Sequence, residues 1–543
     1  MSRLLFRVVL TLAVVAALAP AAAGAQTATE GTGENVTPVA NLEYADRFGT
    51  GKNQGTDLEF TTLSVPSDSE TAGIAQAGKG KGAGKGKGKA GGSTPPAPPV
   101  AQERTFAVAG SYDNGMHIID VTDPTNPVLT GRYDCGISQG DVQVFKRDGR
   151  TYATYTADAV YTVHEDSQCV KDAKAMGLWE GAPVGDLAID VFGDYGKAGI
   201  GTYIADITDP ANPVTVSYVA TAKGSHNQTV HPSGLYLYES NSELYTTAAD
   251  AGIEVFDISD FANPKRVAKL SLPPTPGLGS ESHDLTFNTE GTRAYSAALS
   301  QTVVINTEDP ANPSIISVII DPTINVHHQS DPATLTDKTT GQTRDFLFIE
   351  DEVAGALGTG QCPNGGVHVY DITGPLENAP VKVGYWNIDE IRQTDKGITN
   401  TGTQLPFGPL DMHSCTAHVF EIHEDEALMT IAYYNGGVRV VDLSGIVGVA
   451  LGKTGVGMSQ LGFYRFPDSN TWAVKAPHVS RDGFYLFGND QARGFDVYRY
   501  EPSAQPQATG QWLTPQQLSL RSGALPKVEL SAETAPYCLL RNL

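Results

Sequence analysis

Apolar and polar positions alternate in short runs along most of the chain, and the runs repeat. Residues 115–127 read GMHIIDVTDPTNP, 201–213 GTYIADITDPANP, 252–264 GIEVFDISDFANP and 301–313 QTVVINTEDPANP. Shorter copies follow at 366–375 (GVHVYDITGP), 437–444 (GVRVVDLS) and 494–500 (GFDVYRY). Alternating β-branched and aromatic residues predict a half-buried strand in each copy. The Asp-Pro and Asn-Pro pairs that follow stop the strand and turn the chain.

A second pattern fills the gaps. Residues 226–239 (HNQTVHPSGLYLYE) predict a strand, a tight turn and a second strand, as do 283–297 and 478–488. Segments such as 265–272 (KRVAKLSL) supply a fourth strand. Each unit is therefore four strands in roughly 45–50 residues, the period of a propeller blade. Seven units predict an all-β fold, a seven-bladed β-propeller of four-stranded blades. Blade 1 lacks a first strand of its own, and 55–63 is expected to supply it. The last blade lacks a fourth strand, and 38–48 is expected to supply that one, closing the ring with N-terminal strands.

The Ile/Val-x-Asp-[Ile/Val]-[Ser/Thr]-Asp-Pro-x-Asn-Pro run resembles that of the LVIVD-repeat family, whose members are read as secreted or surface propellers. The resemblance spans residues 115–500 and implies a fold but no defined reaction. The resulting division is a signal peptide at 1–25, a ring-closing segment at 26–69, an insert at 70–103, the propeller at 104–502 and a tail at 503–543. Arg3 and Arg7, the apolar run Val8 to Pro20 and Ala23-Gly24-Ala25 form an export signal expected to be cut after Ala25. Secretion to the extracellular space follows, with no membrane span, because that run is shorter than the ~20 residues a span needs. The insert alternates Gly with Lys79, Lys81, Lys85, Lys87 and Lys89 and is expected to be disordered.

Composition narrows the function. A net charge of −24 argues against nucleic-acid binding. An exported chain permits disulfides, and five Cys allow two. The expected pairs are Cys135 with Cys169 and Cys362 with Cys415, leaving Cys538.

Histidines carry the candidate chemistry. Aligned on the first hairpin turn of each blade, the same offset gives Asp141, His226, His283, His418 and Lys475, with Asp57 matching in blade 1 and His327-His328 opening blade 5. The first strand of a blade lines the central channel, so these imidazoles are expected at similar depth near one mouth. His413 precedes its strand, and His478 lies three residues past Lys475. The predicted ligands are His226, His283, His327, His328, His418, His413 and His478, for copper, iron or zinc. Asp57, Asp141, Asp284 and Glu350 are expected to orient them or complete the site. The layout resembles the metal sites of the selenium-binding-protein/thiol-oxidase propellers and the carotenoid oxygenases. His117, His164, His231, His368 and His423 are read as packing or surface residues. The repeated Asp120, Asp206, Asp257, Asp371 and Asp442 are read as turn hydrogen-bonders rather than calcium ligands. Gly136-Ile-Ser138-Gln-Gly140 matches a nucleophile elbow by letter but leads into a strand, not a helix.

Two functions remain. One is a monomeric secreted propeller with a His-rich metal site, acting as a metal-dependent oxidoreductase on a small molecule. The other is a non-catalytic extracellular scaffold for a protein or glycan. A lactonase-like hydrolase would need carboxylates to dominate the channel, where imidazoles outnumber them.

Overall fold

The computed structural model describes residues 31–522 apart from 50, 67–100, 113, 138, 158–162, 165, 180–200, 222–224, 241–251, 276–278, 353–364, 389–403, 406–407, 410–415 and 504–509. The signal peptide, nearly all of the insert, His413, Cys362, Cys415 and Cys538 therefore lie outside the described residues.

Among the described residues, seven antiparallel sheets of four or five strands follow one another along the chain. Blade 1 is built from Gly55–Pro66, Ala101–Ser111, Met116–Asp120 and Val128–Tyr133. Blade 2 uses Gln139–Arg147, Arg150–Ala157, Gly201–Asp206 and Val214–Ala220. Blade 3 uses Asn227–Val230, Tyr236–Ser240, Gly252–Asp257 and Lys265–Ser271, and blade 4 Asp284–Phe287, Arg293–Ala298, Gln301–Asn306 and Ser314–Ile319. Blade 5 uses His327–Thr336, Thr343–Asp351, Val367–Asp371 and Val381–Asn387. Blade 6 uses His418–His423, Leu428–Ala432, Val438–Asp442 and Ser459–Arg465. In blade 7, Thr471–Lys475, Phe484–Asp490 and Gly494–Tyr500 are completed by Val36–Leu42 from the N-terminus. The first strand of each blade touches that of the next, and blade 7 touches blade 1, so the inner strands form a closed circle.

Sequence alternation explains why the blades stack. Third strands such as Met116–Asp120 are buried throughout, whereas fourth strands surface, with Val128 49% exposed. Seven apolar clusters result, one between each pair of neighbouring blades. Truncating a fully buried member such as Ile118 to Ala costs about 2–5 kcal/mol.

The repeated aspartates do local work. Asp120, Asp206, Asp257, Asp371 and Asp442 each accept a hydrogen bond from the backbone N–H two residues on. That bond bends the chain out of the strand into the Asp-Pro or Ser-Asp turn. Arg104, Arg344 and Arg481 pair with Asp120, Asp371 and Asp442 at 2.6–2.8 Å.

Ring closure uses the expected segments with shifted bounds. The closing strand is Val36–Leu42 rather than 38–48, because the chain turns at Glu43 into a loop where Tyr44 bonds Asn53. Blade 1's first strand runs on to Pro66, and Ala101, Gln102 and Glu103, assigned above to the insert, pair with Pro66, Val65 and Ser64. Two strands had no sequence signal. Thr32–Glu34 adds a fifth strand to blade 6, and Gln511–Leu513, from the tail, adds one to blade 5.

His117 gives the fold a pH dependence. It is 1% exposed, stacks on Tyr44 at 3.9 Å, and burial, with Arg132 second, pushes its pKa down to about 3. Its contribution is complete above the unfolded value near 6.5 and is lost as pH falls toward 3, since only the unfolded chain takes the proton. Between pH 7 and 5 this one group removes about 2 kcal/mol of stability. His117→Phe should flatten that slope in urea unfolding measured at the two pH values. An unchanged slope would show that His117 charges without penalty.

Candidate metal centre

Four imidazoles meet at the start of four consecutive inner strands. His226, His283, His328 and His418, from blades 3 to 6, are 0–3% exposed. Their rings lie in series, with centroids 4.3, 4.1 and 4.5 Å apart. His226 Nε2 and His283 Nε2 are 2.9 Å apart. Second-strand ends supply the oxygens. Glu350 Oε2 lies 2.7 Å from His328 Nδ1, and Glu352 reaches between His328 Nε2 at 3.6 Å and His418 Nε2 at 3.9 Å. Tyr434 donates its hydroxyl to Glu352 Oε1 at 2.6 Å.

The hydrogen bonds set the tautomers. A carbonyl only accepts, so His418 Nδ1 carries a proton and donates it to the Trp472 carbonyl at 2.6 Å. Its Nε2 is left with a lone pair. Glu350 Oε2 holds the His328 ring by its Nδ1 at 2.7 Å. Both Nε2 atoms are buried and make no hydrogen bond, an arrangement that costs free energy unless something fills the gap. Burial holds the pKa of His283 and His328 well below the usual value and pushes His418 down to about 3, so these rings are neutral at pH 7, the form that binds metals. Burial, then Glu352, raises Glu350 well above the carboxylate range. The donor atoms of His328, Glu352 and His418 all lie within 4.8 Å of one another. This nitrogen and oxygen set, without thiolate, fits a divalent zinc, copper or iron ion.

Other predicted ligands are placed elsewhere. His327 adjoins His328, so its side chain leaves the opposite face of the strand and bonds Thr302 Oγ1 at 2.7 Å. His478 is exposed in the turn after Lys475. Asp57, Asp141 and Asp284 lie outside the His328, Glu352 and His418 group. They line an axial cavity of about 760 Å³ with Glu59, Asp331, Glu421 and Lys475. Asn227, Asp284, Gln329 and Val419, each one residue past a clustered histidine, line it too. Strand alternation thus splits the channel into an imidazole layer and a carboxylate layer. Lys475, aligned above with the histidines, reaches Glu59 at 2.8 Å and Asp57 at 3.3 Å. Asp141 accepts from Gln228 Nε2 at 3.1 Å, and its pKa is raised by burial, then by Asp57 and Asp284.

Glu352 and Tyr434 were not singled out from the sequence. Glu352 shares the strand parity of Glu350, a signal available in the EDE run. Tyr434 carried none, because its direction depends on a turn. Cys135 and Cys169 are joined by a disulfide. Among the remaining histidines, His231 bonds the Gly291 carbonyl at 2.9 Å, His368 meets Lys382 at 2.8 Å and His164 stacks on Phe48.

Fold and site define a β-propeller with a buried His/Glu cluster on its axis. The family model for the LVIVD repeat matches residues 106–135, so the chain carries an LVIVD repeat within a seven-bladed β-propeller. Among solved structures it is similar to the β-propeller domain of Cps50 (Swd1) from Myceliophteria thermophila. That likeness has a TM-score of 0.40 and 10% identity over 73% of this chain and 94% of the other. No curated protein matches.

The cation in the carboxylate layer is testable. Lys475→Met leaves Asp57 and Glu59 without their counter-charge and should destabilise the fold by about 3 kcal/mol at pH 8. The loss should shrink at pH 5, where the carboxyls take protons. Equal losses at both values would show that the lysine acts through packing alone.

Proposed function

We propose that this protein is an exported propeller that holds one first-row transition ion in its imidazole cluster and uses it for oxidoreductase chemistry on a small molecule. The observation that carries the reading is the pair of buried imidazole nitrogens, His328 Nε2 and His418 Nε2, facing Glu352 without a hydrogen bond. His328, His418 and Glu352 would hold the ion, with His226 and His283 completing the set. Copper or iron bound there would supply electron transfer, and zinc would supply Lewis acidity instead. Glu350 and the Trp472 carbonyl keep the two rings aimed, which limits reorganisation on binding. A buried site suits a small substrate. The export pattern at residues 1–25 and the Cys135–Cys169 bond support an oxidising, extracellular setting. Among the described residues, no helix is long and apolar enough to cross a membrane.

Elemental analysis of the protein purified without chelators tests this reading. One transition ion per chain is expected, lost in the His328→Ala/His418→Ala variant. No metal in the wild type, and none taken up on reconstitution, would favour the scaffold for a protein or glycan partner.

A further inference from the structure

Tyr434 sits in the left-handed region, with φ of +45°, which is uncommon for any side chain but glycine. A turn explains that backbone. Tyr434 follows the second strand of blade 6, and its N–H and carbonyl exchange hydrogen bonds with Thr471, at the start of blade 7, at 3.1 and 3.2 Å. Blade 4 has the same device. Leu299 follows its second strand with φ of +56° and exchanges hydrogen bonds with His327, at the start of blade 5, at 3.2 and 2.8 Å. The clip between blades therefore works with a side chain that has no polar atom, and its backbone does not call for a phenol.

The phenol answers to the metal centre. The Tyr434 side chain is fully buried, its ring lies 4.6 Å from that of His418, and it meets Trp472 edge-on at 5.9 Å. Trp472 is the residue whose carbonyl holds His418 Nδ1. The hydroxyl ends on Glu352 Oε1, which lies 3.9 Å from His418 Nε2, while Glu352 Oε2 is the nearer oxygen, 3.6 Å from His328 Nε2. We propose that Tyr434 is the positioning residue of this centre: it occupies one carboxylate oxygen of Glu352 and presents the other to the ion. This rests on the metal reading above. The bond draws charge from the carboxylate and holds it to one-oxygen coordination. Without it, Glu352 loses that tether on Oε1, and both oxygens become available to the ion. The strained clip supplies the rigidity, since it fixes the tyrosine's backbone to blade 7 while the hydroxyl reaches blade 5.

Cobalt(II) titration of the metal-stripped full chain tests the proposal, because cobalt's visible bands report coordination number. Tyr434→Phe keeps the ring and removes only the hydroxyl, and it should melt close to the wild type. It should bind cobalt on the order of tenfold more weakly and with altered bands. Glu352→Gln should also weaken binding, and adding Tyr434→Phe to it should cost little more, since the hydroxyl acts through that carboxylate. Wild-type affinity and bands in Tyr434→Phe would overturn the proposal, as would losses that simply add in the double variant. A wild type that takes up no cobalt would instead overturn the metal centre itself, and Tyr434's role with it.

Discussion

Ring closure is the constraint on which the rest depends. A propeller blade buries its faces only against two neighbours, so an open seventh blade would expose both a sheet edge and an apolar face. Here Val36–Leu42 lies beside Gly494–Tyr500, joining an N-terminal strand to the last blade of the ring in one sheet. Tyr44, just past that strand, donates its hydroxyl to Asn489 at 2.7 Å and packs in the cluster between blades 7 and 1. The closing strand therefore fixes the last blade twice, by its ladder and by its core. The inner circle follows from that closure, and with it the distances between imidazoles that come from four different blades.

A polar axis is the cost of this architecture, and the structure handles its two layers differently. The imidazole layer keeps His283, His328 and His418 neutral by burial and aims two of them through Glu350 and the Trp472 carbonyl. The other layer gathers carboxylates around Lys475 and leaves a cavity that water can fill. A buried lone pair facing a carboxylate is unfavourable in the same measure that a cation between them is favourable. The imidazole layer is therefore the one that could hold an ion, although the carboxylate layer holds more negative charge.

Much of this was legible in the chain. The recurring Asp-Pro and Asn-Pro runs gave strand ends, strand order and blade number, because each turn is made by local bonds such as Asp120 to the Thr122 N–H. The shared offset found His226, His283 and His418, because a strand's period fixes direction once its register is known. In blade 5 the pair His327-His328 left the parity open, and only the register showed that His328 faces the axis. His478 looked close by count, yet it follows the strand's end, where the period no longer applies. Tyr434 was hidden for a related reason. It sits just beyond a second strand, where a single residue's backbone angle sets the direction of the side chain.

Repeat duplication alone would place histidines at one offset, so their alignment is weak evidence of a site. Their partners are stronger evidence because they do not repeat. The turn that carries Tyr434 in blade 6 carries Leu299 in blade 4, with the same backbone and no hydroxyl. Blades 1, 2 and 7 carry Asp57, Asp141 and Lys475 where the offset would put another imidazole, and those three face the cavity. Glu350, Glu352, Tyr434 and the Trp472 carbonyl come from three different blades and converge on two rings only. Drift within copies of one blade would not bring unlike groups to one point. A site that needs its rings aimed and its carboxylate held would.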